Sequence, residues 1–341
     1  MSKQNPGQGP SPGRPSRFEL YKRLNTQVAE LHGRMGGLPS PAEASGIWED
    51  IWYEEAHHST AIEGNTLVLK QVKLLLSEGR TVGSKELREY LEVQGYANAA
   101  TWVYRQAMNP TEEYSRPDSL LTMRELRRVH SVAMTPVWDV APHPSALEGE
   151  GPENFRKHEI QAFPGGITPV SHPFIHSMIN DWIDDVNSLD LRSLTLPEEV
   201  ARIHCRFEQI HPFLDGNGRT GRLILNLILV RLGYPPVVIY KRDRTRYLKS
   251  LRRADLGDPG QLGELIARGI LHSLYRFIVP AVAGPARLVP LAALATPELG
   301  VAALRTAAVR GRLQATRGPD GQWRSSLNWV AEYRASRYRR E

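Results

Sequence analysis

Residues 211–222 read HPFLDGNGRTGR, which brings one imidazole, one carboxylate, one carboxamide and two guanidinium groups within twelve positions. Arg219 and Arg222 stand three apart where the apolar run LILNLILV, residues 223–230, begins. A helix starting there carries unpaired N–H groups and partial positive charge in its first turn, so two added cations are unfavourable unless an anion is expected. Gly216, Gly218 and Gly221 let the backbone approach a ligand closely, and the first N–H groups of the helix point at the same space. The pattern describes an anion hole. In it Asn217 can donate to a phosphate oxygen, while Arg219 and Arg222, on one helix face, can grip outer phosphates. A bare Asp215 would repel phosphate, so it calls for bridging Mg2+, which takes one or two carboxylates with phosphate oxygens. His211, as a neutral imidazole on the opposite lip, can take a proton from an attacking hydroxyl near neutral pH.

The plainer alternative is that a glycine-rich loop after a helix is a turn, and that a histidine before proline is a cap or core residue. HPF occurs twice, and His172, Pro173 and Phe174 lack the downstream aspartate, glycines and arginines, which marks that copy as structural. His172 and His176 are spaced like a metal pair, with no third ligand nearby.

The elements that must position these groups are helices. Amphipathic spacing begins near Phe18 (Phe18, Tyr21, Leu24, Val28, Leu31) and stops at the glycines of residues 33–37. A second helix is expected over 47–62, ending at Gly64, and others over 68–78, 84–107, 119–134 and 173–187. Thr195, with Pro197 in the first turn and Glu198 three residues on, reads as a capping box. It opens a helix with Val200, Ile203, Phe207 and Ile210 on one side that delivers the chain to His211. The helix after the glycines is apolar nearly all round and is expected at the domain centre. Two more follow, over 243–255 and 261–278. The clearest strand signal is a hairpin over 155–170 turned by Pro164, Gly165 and Gly166. The expected fold class is mostly α, a helical bundle with a short β-hairpin and a small C-terminal domain.

Composition sets the bounds. With 41% hydrophobic and 23% charged residues in 341, the chain reads as ordinary globular protein. It has no apolar stretch near the roughly 18 residues of a membrane span and no basic-then-apolar N-terminus, so no membrane partner and a cytoplasmic setting are expected. The single cysteine, Cys205, cannot form an internal disulfide and falls among Ile203, Phe207 and Ile210 as core filling. Residues 1–16, rich in Pro, Gly and Ser, are expected to be disordered. The net charge of +6 resides in residues 302–341, where nine arginines face Asp320, Glu332 and Glu341. That asymmetry fits a polyanion contact or a solvated basic face.

Glu63 is a second misfit, an anion at the negative end of the 47–62 helix. Pairing it with the cations at the other helix's N-terminus would relieve both. The local alternative is an exposed glutamate in a final turn.

The whole 211–222 pattern resembles the Fic family signature HxFx(D/E)GNGRxxR, with His211, Phe213, Asp215, Gly216, Asn217, Gly218, Arg219 and Arg222 at its fixed positions; the resemblance spans about residues 45–278. It implies an α-helical core that transfers AMP from ATP to a Ser, Thr or Tyr hydroxyl of a target protein. By the same resemblance His211 deprotonates the hydroxyl, Asp215 holds Mg2+, and Gly216, Asn217 and Gly218 receive the α and β phosphates. Arg219 and Arg222 steady the triphosphate, and Phe213 anchors the loop. Tyr247 is implied as a base-stacking or pocket residue, with Asp255 where relatives often carry asparagine; alone, a tyrosine at helical spacing is core. The 155–170 hairpin takes the place of the family's flap, which holds a target segment as an added strand.

Ser59, Glu63 and Gly64 match the (S/T)xxxE(G/N) inhibitory motif of the class with an N-terminal inhibitory helix, which implies an autoinhibited state with Glu63 bonded to Arg222. The implied organisation is a tail (1–16), N-terminal helices with the inhibitory helix (17–66), a Fic core (67–279) and a C-terminal module (280–341). That module resembles an excisionase-like winged helix-turn-helix, with helix 298–309 for recognition and Arg317 and Arg324 on the wing. Its alternative is a protein-docking or dimerising module. Expected partners are therefore ATP with Mg2+, a target protein, DNA through the C-terminal module, and a second copy of the chain. Three rival functions stay open: removal of AMP with Glu63 orienting a water, use of another nucleotide at the same site, and a DNA-binding regulator whose core senses nucleotides.

Overall fold

Ser16 accepts a hydrogen bond from the Glu19 N–H (3.2 Å) and so opens α1 (Arg17–Met35), which ends on the left-handed Gly36. In the computed structural model, residues 16–41, 44–161, 167–282, 288–318 and 321–337 are described; the expected N-terminal tail, apart from Ser16, lies outside them. The chain continues through α2 (Ser45–Ile62), α3 (Leu69–Glu78), α4 (Leu87–Met108), α5 (Met123–Trp138), α6 (Ile175–Asn187), α7 (Leu196–Ile210), α8 (Asn217–Arg231), α9 (Arg244–Asp255) and α10 (Gly260–Ser273). A π-type turn, Leu274–Ile278, leads from α10 into α11 (Val279–Val282). Helix spacing in the sequence places most of these within a few residues.

Helix α8 is the hub. Residues 223–230 are all buried, and α4, α5 and α7 pack around α8 with α2 also against it. An all-round apolar surface requires neighbours on every side, and these helices supply them. No helix among the described residues is long and apolar enough to cross a membrane.

Two local expectations are corrected. The capping box at Thr195 does not form: its hydroxyl pairs with Ser193 (3.0 Å), and only its carbonyl accepts from the Glu198 N–H (2.7 Å). The Glu198 carboxylate instead accepts from the Tyr21 hydroxyl (3.1 Å) and faces Arg17 (3.3 Å), a tertiary contact that outcompetes the local cap. A capping box opens α5, with Thr122 Oγ1 accepting from the Glu125 N–H and Glu125 Oε2 accepting from the Thr122 N–H. The expected hairpin over 155–170 shows no strand in its described arms, and Pro164, Gly165 and Gly166 lie outside the described residues. Arg156 joins the arms by donating from Nη2 to the Val170 carbonyl, so a side chain does the work of a ladder.

The C-terminal elements are β1 (Val289–Pro290), a 3-10 turn at Leu291–Leu294, α12 (Val301–Val309), β2 (Thr316–Arg317), β3 (Trp323–Ser325) and α13 (Leu327–Arg337). The strands form an antiparallel sheet in the order β1-β3-β2, with Val289 opposite Ser325 and Thr316 opposite Arg324. The first helix expected there is only the 3-10 turn, and α12 begins at Val301 rather than at residue 298. Arg324, expected on an exposed wing, is buried and pairs with Glu30 of α1 at 2.6 Å. It therefore fastens the module to the N-terminal helix.

Candidate active site

Helix α7 hands the chain to the loop at His211, which holds φ 48° and ψ 60°. A non-glycine residue in this region is strained and persists only where its surroundings over-determine it. Arg156 supplies much of that constraint: its Nε donates to the His211 carbonyl (2.9 Å) and its N–H to the Pro212 carbonyl (2.9 Å). The ring Nδ1 lies 3.3 Å from the Glu208 carbonyl, which puts the proton on Nδ1 and the lone pair on Nε2. Burial lowers the imidazole to about 4, so the ring is neutral at pH 7 and can accept a proton.

The loop is braced from inside. Phe213 is fully buried and stacks on His130 with ring centroids 3.7 Å apart and planes 3° from parallel. His130 Nε2 donates to the Asp215 carbonyl (3.0 Å), and its Nδ1 accepts from the Glu153 N–H (2.9 Å). Asn217 donates from Nδ2 to the Phe213 carbonyl (2.7 Å) and accepts at Oδ1 from the Phe213 N–H (2.9 Å). This corrects the expectation that its carboxamide faces a phosphate: the side chain closes the loop, and only the backbone N–H is left for an anion. Gly221 is also reassigned, because a Cβ there would meet Glu208 Oε1 at 2.6 Å and Phe207 Cδ1 at 3.0 Å. It serves the approach of α7 to α8. Gly216, at φ +79°, is needed for the turn and for packing on Met134. Gly216, the N-cap of α8, has no side chain with which to cap the first turn.

Glu63 occupies that uncapped space. It is the C-cap residue of α2, and the left-handed Gly64 (φ 110°) turns the chain away after it. Arg222 donates from Nη2 to Glu63 Oε1 (2.6 Å) and to the Ser59 carbonyl (3.0 Å), and from Nε to Ser59 Oγ (2.7 Å). The Glu63 carboxylate sits so close over Gly218 that no Cβ fits between. Burial opposes its charge, yet Arg222, with Arg219 behind it, holds the carboxyl below its usual range. The two charge misfits seen in the sequence are thus paired.

Arg219 donates from Nη2 to Asp215 Oδ1 (3.1 Å), while its buried Nε and Nη1 find no hydrogen-bond partner among the described residues. Buried donors left this way are costly and mark a place for an acceptor. Asp215 also accepts from the Gly216 N–H (2.6 Å) and lies 3.7 Å from Arg88. Although burial works against its charge, Arg219 and the Gly216 N–H keep it ionised. Among the described residues no group of three or more His, Cys, Asp or Glu side chains is placed to hold a metal. One partly exposed carboxylate beside a phosphate hole suits Mg2+ only as part of a magnesium–nucleotide complex.

Tyr247 lies behind the cations of the site, its hydroxyl beside Arg222 as well as His204. It is 1% exposed, and its hydroxyl lies 2.7 Å from His204 Nε2 between α9 and α7. Cys205 is buried with its thiol pushed up to about 12, which removes it as a nucleophile. His172 bonds Glu159 at 2.9 Å away from the loop, as a structural residue. His130 and Arg156 were not singled out from the sequence. His130 follows Leu126 and Val129 on the buried stripe of α5, where a histidine is a signal; Arg156 had none.

A buried helix is thus entered through a glycine loop, with an imidazole on one lip and paired guanidinium groups on the other. Residues 120–229 match the model of the Fic/DOC family. The chain is 30% identical over 259 residues to protein adenylyltransferase fic-1 of Caenorhabditis elegans, covering 76% of this chain and 47% of that relative. It is 29% identical over 236 residues to protein adenylyltransferase Fic of Drosophila willistoni, covering 68% and 43%. The chain spans about half the length of the curated relatives it matches. A solved structure of C. elegans Fic-1 aligns with a TM-score of 0.60 at 27% identity, over 76% of this chain and 70% of that one. A Fic family protein from Desulfovibrio desulfuricans G20 aligns with a TM-score of 0.52 at 21% identity over 94% and 98%, a likeness of fold that takes in the C-terminal elements.

Proposed function

We propose that this chain is a protein adenylyltransferase that moves AMP from ATP to a Ser, Thr or Tyr hydroxyl of a target protein, and that Glu63 restrains it. The observation that carries the reading is the 2.6 Å bond from Arg222 to Glu63, made over Gly218 and the uncapped turn of α8. The carboxylate there stands in for an outer phosphate. In the reaction, neutral His211 takes the hydroxyl proton on Nε2 as the target oxygen bonds the α-phosphorus. The bond from that phosphorus to the β-phosphate bridge breaks, and pyrophosphate leaves with its charge held by Arg219, Arg222 and the α8 N–H groups. Mg2+ bound with the nucleotide would neutralise phosphate charge beside Asp215.

Incorporation of label from α-labelled ATP tests this. Glu63→Gly is expected to raise labelling of the protein or a target by about tenfold or more, and adding His211→Ala to lower it by about a hundredfold or more. A wild type already as active as Glu63→Gly removes the restraint; no labelling by either removes the transfer.

A second reading concerns the C-terminal module. Arg305, Arg310, Arg312 and Arg317 are exposed. Arg310 and Arg312 border a groove of about 370 Å³ with Ala302, Ala303, Thr306 and Tyr333. Small residues on a helix face flanked by cations admit a phosphate backbone, which supports duplex DNA as the partner of this face.

A further inference from the structure

The turn that follows Glu63 is clamped to α4 by two carboxylates. Asn65, buried, donates from Nδ2 to the Glu89 carbonyl (2.9 Å) and to Glu92 Oε2 (3.1 Å). Thr66 donates its N–H (2.6 Å) and hydroxyl (2.7 Å) to Glu89 Oε2. Glu92 differs from Glu89 in the direction of its second oxygen. Oε1 accepts from Arg88 Nε (3.1 Å) and stands 4.0 Å from Arg219 Nη1, one of the two buried donors of Arg219 without a hydrogen bond. Arg88 and Arg219 both face Asp215, at 3.7 Å and 3.1 Å. One carboxylate therefore has one oxygen on the turn that aims Glu63 and the other among the cations of the phosphate loop.

We propose that Glu92 is a positioning residue that couples occupancy of the phosphate pocket to release of Glu63, an inference that rests on the adenylyltransferase reading. Arg219 offers two unbonded N–H donors, and an arriving polyphosphate satisfies them with charge-assisted bonds. Drawing Arg219, and Arg88 with it, toward the phosphates strips Glu92 of cationic neighbours. A half-buried carboxylate without them is unstable and turns toward water. The Asn65 bond that fixes the Gly64 turn then weakens, and Glu63 gains freedom to leave Arg222. Coupling is reciprocal, so whatever loosens the turn must tighten nucleotide binding by the same factor.

The test compares Asn65→Ala and Glu92→Ala in the full chain, with wild type and Glu63→Gly as brackets. Labelling by α-labelled ATP and the apparent Kd for ATP by calorimetry are read together. Both variants are expected to label about fivefold or more faster than wild type, with Asn65→Ala binding ATP more tightly by a similar factor. Asn65→Ala added to Glu63→Gly should leave the Glu63→Gly rate within about twofold, since the carboxylate it frees is already gone. A merely structural role lowers labelling instead. Wild-type rates for both variants beside an active Glu63→Gly overturn the coupling and leave the transferase reading standing. A silent Glu63→Gly overturns that reading and the coupling with it. Should Glu92→Ala fail to fold, Asn65→Ala decides alone.

Discussion

Asn217 and Arg156 direct their polar atoms at peptide groups of residues 210–213, and His130 does the same at Asp215. They fix where His211 and the α8 N–H groups stand, which leaves His211, Asp215, Arg219 and Arg222 as the side chains that the proposed function assigns to the nucleotide. Tyr247 belongs with the buried group, and this placement is testable. Tyr247→Phe removes one hydroxyl bonded to His204 and should cost about 1 kcal/mol, lowering Tm by a few degrees. In the Glu63→Gly background the preference among competing nucleoside triphosphates should not change. A tenfold shift in base preference would return Tyr247 to the pocket. The charged site residues were legible because a cation at a helix start and an anion at a helix end conflict with local physics wherever the helices go. Tyr247 was not, because the direction of a helical tyrosine depends on how α9 seats against α7, which no local spacing encodes. Asn217 shows a subtler limit. It stands between two glycines at the first position of α8, where a carboxamide can serve a phosphate or a peptide equally, and only the fold decides.

At the scale of elements, α2 and α8 run as a side-chain ladder. Glu55, Ser59 and Glu63, each four residues apart on α2, meet Asn226, Arg222 and Gly218, each four apart in the opposite direction on α8. Arg276 holds α2 at Glu54, and Arg244 donates to the Ile62 carbonyl (2.8 Å) at its end. Glu63, the C-cap of α2, is thus placed by the helix before it as well as by the turn after it. The 3.6-residue period made that helix legible, but not its orientation toward α8. The 155–170 hairpin misled because proline and glycine announce a turn and say nothing about whether the arms pair. In the C-terminal module, α12 carries a prediction of its own: the full chain should bind duplex DNA with an affinity that falls steeply with salt. Arg310→Ala with Arg312→Ala should reduce the slope of log K against log salt by about two and weaken binding about tenfold or more, by fluorescence anisotropy. Labelling activity should be untouched, and no duplex binding at low salt would assign the face to a protein partner.

Across the whole molecule, burial keeps two kinds of side chain uncharged, and they act on stability with opposite sign. His57, His130 and His211 are pushed down to about 4 and His204 to about 3, each chiefly by burial. Glu55 is pushed up to about 8 and Glu208 to about 7 by the same cause. Unfolding returns histidine to about 6.5 and glutamate to about 4.3. Near pH 5.5 the unfolded chain therefore takes up more protons on these histidines than it gives up from the two glutamates, so stability rises with pH there. The histidine contribution is complete only about one unit above pH 6.5, while the glutamate contribution is lost until the folded groups ionise near 7 and 8. The two slopes cancel where half of each unfolded histidine is charged, which places the stability maximum near pH 6.5. Urea unfolding at pH 5.5, 6.5 and 8 measures this directly, and a steady rise across all three would mean that Glu55 or Glu208 is ionised in the fold. Glu55→Gln separates the two: a neutral amide in the Tyr104 and Asn226 network removes one ionisation, so the fall between pH 6.5 and 8 should shrink by about half or more in that variant.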